Sequence, residues 1–115
     1  MQSNIYGKKS EIIAADFLKQ KGYKIIELNH KNKIGEIDVI AQDRDYLVFV
    51  EVKARLSRAF GDPLEAVNYK KQQKIRKVAE LYLIKKRKTE TSCRFDVISI
   101  LGQEEYEISH IENAF

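Results

Sequence analysis

Two runs dense in β-branched and aromatic residues, GEIDVIAQ at 35–42 and YLVFVEVKA at 46–54, stand three residues apart across an Asp-Arg-Asp turn. Such a pair predicts a β-hairpin, which forces residues two apart onto one face of each strand. Glu36, Asp38 and Ile40 then share one face, and Ile37, Val39 and Ala41 the other. On the second strand Phe49, Glu51, Lys53 and Arg55 lie opposite to Val48, Val50 and Val52. With the turn centred between Arg44 and Asp45, Asp38 falls across from Glu51. Two carboxylates facing each other in a sheet repel, so this hairpin demands positive charge. Lys53 can supply one unit, and a divalent cation two. Mg²⁺ takes oxygen ligands and often uses only one or two carboxylates plus water, which suits Asp38 and Glu51. Lys53 would then orient a water or stabilise charge on a phosphate. A structural carboxylate–lysine bridge fits the same spacing, because charged residues are common on half-exposed sheet faces. Spacing alone leaves both open.

The rest of the chain supplies the layers for that hairpin. Residues 6–21 read as a helix, with Ile13, Ala14, Phe17 and Leu18 at helical spacing and Gly22 as a stop. YKIIELNH (23–30) reads as a strand before the polar turn KNK, and LSRAFGD as a loop. Asp62, Pro63 and Glu65 have the order of an N-cap, first helical residue and N3 acid. The helix they would open runs towards Lys88, with a break near Asn68 and Tyr69, and buries Ile75, Val78, Ala79, Tyr82 and Leu83. CRFDVISIL (93–101) and EYEISHI (105–111) close the chain as strands. Helix, three strands, helix and strand, with one further strand, make an α/β domain in which helices flank a mixed central sheet. At 115 residues, without repeats or a linker, a single domain over 1–115 is expected.

Composition bounds the functional classes. No apolar run reaches the roughly 18 residues of a membrane span, and the N-terminus lacks the basic-then-apolar pattern of an export signal. Cys93 is the single cysteine, so neither an internal disulfide nor a multi-cysteine zinc site can form. A cytoplasmic location is the default expectation. The formal net charge is +4, and nine of the 21 Lys and Arg residues fall between 70 and 88. Such a concentration attracts polyanions, although a solvated helix face looks the same in sequence. Lys70, Lys71, Lys74 and Lys77 would grip phosphates without reading bases, and Arg55 would grip one bidentately. Arg94 and Asp96 share a strand face and are expected to pair structurally. His30 and His110 have no ligand-spaced partner in the sequence, and ordinary polar roles are expected for both.

The segments GEIDVIA, LVFVEVKAR, FGDPLEAV, RFDVISI and HIENAF together resemble the YraN family of small bacterial proteins over nearly the whole chain. That family is similar in fold to Holliday junction resolvases and to PD-(D/E)xK nucleases. The resemblance implies a restriction-endonuclease-like core and a Mg²⁺-dependent phosphodiesterase site, with Mn²⁺ as an alternative ion. By position, Asp38 matches the first metal-binding acid, Glu51 the second and Lys53 the motif lysine. Glu11, on the first helix, matches an acid that completes the metal site in related resolvases; an ordinary boundary glutamate would look the same. Ile37 stands where the motif has proline. The expectation is an endonuclease acting on DNA, branched or structured DNA included. Its rival is a nucleic-acid-binding module that keeps the fold without cutting. A third alternative is a protein-interaction domain whose acids and lysine are structural. A homodimer is compatible with either nucleic-acid role, and no membrane partner is expected.

Overall fold

The computed structural model describes residues 2–56 and 67–115, with side chains from Lys9 onward. The elements are α1 (Gln2–Gln20), β1 (Lys24–Lys31), β2 (Glu36–Asp43), β3 (Tyr46–Arg55), α2 (Tyr69–Lys85), β4 (Cys93–Leu101) and β5 (Glu107–Ile111). The five strands lie in sequence order, β1-β2-β3-β4-β5. β3 and β4 pair in parallel, and the other neighbours are antiparallel. The parallel step is the one that needs a crossover, and α2 lies within it. The architecture is therefore the mixed α/β one that the sequence predicts.

Each helix covers one face of the sheet. Ala14 and Leu18 of α1 pack with Val39, Ala41, Val48, Val50, Ile98 and Ile100. Ile75, Val78, Ala79 and Tyr82 of α2 pack on the other side with Ile37, Ile40, Phe49 and Val97. Gly22 ends α1 at φ +94°, so that Tyr23 N–H reaches the Leu18 carbonyl at 3.0 Å. That geometry is a Schellman stop, for which glycine is favoured because it has no Cβ. Asn68 starts α2 by accepting the Lys71 N–H at 2.9 Å, close to the break expected there. The expected cap of Asp62, Pro63 and Glu65 lies outside the described residues.

The hairpin turn is centred between Arg44 and Asp45 as expected, but Asp43 pairs with Tyr46, so the turn has two residues and not the three of Asp-Arg-Asp, with Arg44 at φ 56°. The hairpin loop before β2 is tied to α2. Asn32 Oδ1 accepts Ile34 N–H at 3.0 Å, while its amide donates to the Val78 carbonyl at 3.3 Å. Gly35 lies so close to α2 that a Cβ there would sit 3.0 Å from Lys74 Cε. These contacts hold the middle of α2 against the loop between β1 and β2. Among the described residues no helix is long and apolar enough to cross a membrane.

Arg94 and Asp96 do pair, within a larger network. Asp96 is fully buried, and its Oδ1 accepts Arg94 Nε and Asn113 N–H at 2.9 and 3.0 Å. Its Oδ2 accepts Arg94 Nη2 at 3.0 Å and lies 2.7 Å from His110 Nε2. Burial pushes the Asp96 carboxyl upward, but hydrogen bonds from His110 and Arg94 outweigh it and hold the pKa below the usual value. Removing one partner of a buried pair leaves the other charge uncompensated. Arg94→Met is therefore expected to cost about 3–5 kcal/mol, measured by urea unfolding; a loss below about 1 kcal/mol would show that the network carries little stability.

Candidate metal centre at the parting of two strands

The β2–β3 ladder runs from Asp43↔Tyr46 to Val39↔Val50. Beyond it β2 stays paired with β1 as far as Lys31↔Glu36, and β3 stays paired with β4 as far as Arg55↔Leu101. Each strand keeps its outer neighbour while the two part from each other. Asp38 stands at the first position of the opening. Its Oδ2 accepts the Val52 N–H at 2.8 Å, so a side chain satisfies a donor in place of the ladder. Once released from β3, β2 loses its strict alternation: Ile37 packs with Ile40 on the α2 side, whereas Val39 and Ala41 face α1. The expected grouping of Ile37 with Val39 and Ala41 is thus corrected, because it assumed pairing with β3 along the full strand.

Glu51, Glu11 and Glu36 lie close enough to this opening for their charges to act on Asp38. Glu51 is 7% exposed, although it lies in a run of apolar β3 residues. Glu11, on α1, lies near enough for its charge to act on Asp38. Glu36 is exposed at the margin, 3.9 Å from Lys31 Nζ. Burial, and then the Glu51 charge, push the Asp38 pKa up to about 7. Burial and the Glu36 charge likewise raise that of Glu11. The acids are short of positive charge.

Two lysines converge on Glu51. Lys53 Nζ is 3.4 Å from its Oε1, and Lys71 Nζ, from the first turn of α2, is 2.9 Å from the same oxygen. Burial and the neighbouring Lys71 lower the Lys53 pKa. Burial opposes the charge on Lys71, but hydrogen bonds with Lys53 and Glu51 outweigh it and raise its pKa. The sequence placed Lys71 among the phosphate-gripping lysines; in the fold its ammonium lies on Glu51. No spacing in the chain links residues 51 and 71, and only the docking of α2 against β3 joins them.

Of the other predicted residues, Lys70, Lys74 and Lys77 are exposed along α2. A groove of ≈ 440 Å³, lined by Lys31, Gly35, Glu36, Lys71 and Lys74 among others, runs beside the acids. Arg55 is half-buried at the end of β3, where its carbonyl accepts Gly102 N–H at 2.9 Å. The hard oxygen donors of Asp38, Glu51 and Glu11 are of the type that Mg²⁺ or Mn²⁺ takes, and a dication would offset the crowding of negative charge that raises the Asp38 and Glu11 pKa values.

A second cluster was missed in the sequence. Asp96, His110 and Glu112 offer ligand atoms within 4.8 Å of one another. His110, expected to lack ligand-spaced partners, gains them through the pairing of β5 with β4. Arg94 Nη2 already lies 3.3 Å from Glu112 Oε1, and Lys21 Nζ lies 2.7 Å from His110 Nδ1. Cations of the chain itself fill this cluster, so it does not call for a metal.

The fold and this centre define a mixed α/β domain with an acid–lysine centre where its sheet opens. The chain belongs to the family described as "Uncharacterised protein family UPF0102", the YraN family, which it matches over residues 10–100. It is 50% identical over 112 residues to a UPF0102 protein of Alkaliphilus oremlandii, covering 95% of this chain and 96% of that protein. A UPF0102 protein of Thermodesulfovibrio yellowstonii is 52% identical over 109 residues, covering 95% and 94%. One from Clostridium botulinum is 47% identical over 113 residues, covering 95% and 92%.

The Asp38 environment has a consequence for stability. Its carboxyl holds a proton to about pH 7 in the fold but ionises near 3.8 otherwise. Between those values the folded state binds more protons, so this contribution to stability falls as pH rises through the window. Asp38→Asn cannot ionise and keeps an acceptor for Val52. In metal-free buffer, its melting temperature relative to wild type is expected to climb by a few degrees from about pH 4 to about pH 8. A pH-independent difference would contradict the raised pKa.

Proposed function

We propose that this protein is a divalent-metal-dependent endonuclease acting on DNA, branched or structured DNA included. The observation that carries the reading is the convergence of Glu11, Asp38 and Glu51 with Lys53 at the opening between β2 and β3. Resemblance to the PD-(D/E)xK nucleases adds to it, with a restriction-endonuclease-like core as part of the same proposal. Asp38, Glu51 and Glu11 would hold Mg²⁺ or Mn²⁺, which supplies an activated water and neutralises charge on the scissile phosphate. Asp38 is fixed for this task by its bond to Val52, which occupies one of its two oxygens. Lys53, held by its strand beside Glu51, stabilises charge that develops on the phosphate. Lys70, Lys74 and Lys77, with Arg55, position the phosphate backbone.

The pairing of both lysines with Glu51 favours a second reading, a nucleic-acid-binding module that does not cut, because Glu51 is neutralised without a metal. Incubation with linear, flapped and four-way DNAs in Mg²⁺, Mn²⁺ or EDTA separates the two. Metal-dependent cleavage is expected. It should fall in Asp38→Asn by more than the roughly 10–100-fold typical of a metal site's supporting residues, with DNA binding retained. Binding without cleavage across all substrates and both metals supports the module, and cleavage undiminished in Asp38→Asn places the activity elsewhere.

Binding itself should be salt-sensitive. Each phosphate neutralised on a duplex contributes about −0.9 to the slope of log affinity against log salt. The triple change of Lys70, Lys74 and Lys77 to Ala is expected to flatten that slope by roughly 2–3, read by fluorescence anisotropy. An unchanged slope would move the binding face away from α2.

A further inference from the structure

Lys71 is oddly placed for a phosphate-binding residue. It is the nearer of the two lysines to Glu51, at 2.9 Å against 3.4 Å, yet its side chain is 41% exposed where that of Lys53 is 21% exposed. Lys53 is two residues from Glu51 on the same strand, and its side chain is the more enclosed of the two. Lys71 instead extends a flexible four-carbon stem from the first turn of α2, and it lines the groove that also holds Lys74. Its backbone is anchored through Asn68, so the ammonium can travel while the helix stays in place. A dication on the Glu51 carboxylate would meet this ammonium at a distance where like charges repel strongly. The ion and the ammonium would compete for that oxygen.

We propose that Lys71 is a resident cation of the metal centre, displaced from Glu51 when a divalent ion binds and transferred to a phosphate of the nucleic acid in the adjoining groove. The inference rests on the metal-centre reading above and deepens it. In the metal-free protein Lys71 compensates Glu51 and keeps the parted strands from repelling. A phosphate in the groove draws Lys71 away and frees the carboxylate, so nucleic acid and metal favour each other's binding. Linkage requires that coupling to be reciprocal. Lys71 is here a positioning residue, which acts by controlling access to Glu51.

The test measures binding of Mn²⁺ alone, from the EPR signal of the free ion, to full-length wild type, Lys71→Met, Lys71→Arg and Asp38→Asn. The exposure of Lys71 makes these changes compatible with folding, which a cooperative melt verifies. Lys71→Met is expected to bind Mn²⁺ more tightly than wild type, by a factor in the range of about 5–150 typical of coupled sites. Lys71→Arg keeps the charge and should not gain affinity. A nuclease-resistant phosphorothioate duplex should tighten Mn²⁺ binding in wild type, and less so in Lys71→Met. Equal Mn²⁺ affinity in wild type and Lys71→Met, with binding still lost in Asp38→Asn, overturns the role of Lys71 and leaves the metal centre standing. Mn²⁺ bound equally by wild type and Asp38→Asn overturns both.

Discussion

The hydrogen bond from Val52 N–H to the Asp38 carboxylate is the contact around which the centre is organised. Two antiparallel strands that part in mid-sheet would leave backbone donors unpaired and buried, at a cost of roughly 1–3 kcal/mol for each group. Asp38 removes that cost at the point of parting, which lets the sheet open without losing its outer pairings. The opening then admits Glu11 from one helix layer and Lys71 from the other. A continuous ladder would have kept these two layers apart.

Comparison of the two acidic clusters shows what distinguishes a finished ion-pair network from an unfinished one. Asp96 is fully buried, yet the Arg94 guanidinium, His110 and a backbone N–H occupy both of its oxygens, and its pKa is lowered. Asp38 accepts one backbone N–H and is otherwise ringed by Glu51, Glu11 and Glu36, and its pKa is raised. The first arrangement stabilises the protein as it stands. The second holds negative charge that the chain only partly offsets. Asp38, Glu51 and Lys53, the residues that carry the resemblance, lie on this second arrangement.

Much of this was legible in the sequence. The β-hairpin, the centre of its turn and the stripe from Ile75 to Tyr82 follow from local periodicity, which a half-buried strand or helix must obey. The acids at 38 and 51 were conspicuous because they interrupt apolar runs. The break in the face pattern at Ile37 was not legible, since alternation reports a strand's own pleat and not where its neighbour leaves it. Lys71 and His110 escaped for a related reason. Each is ordinary in its own element and acquires its role from a residue of another, Lys71 from Glu51 and His110 from Asp96, and sequence spacing carries no record of that contact.

The most direct measurement is an anomalous-difference map from crystals soaked in Mn²⁺. The expected result is a peak at ligand distance from the Asp38 and Glu51 carboxylates, with the Lys71 ammonium moved off Glu51. A peak confined to Asp96, His110 and Glu112, or no peak while Glu51 keeps both lysines, would contradict the assignment of the metal centre.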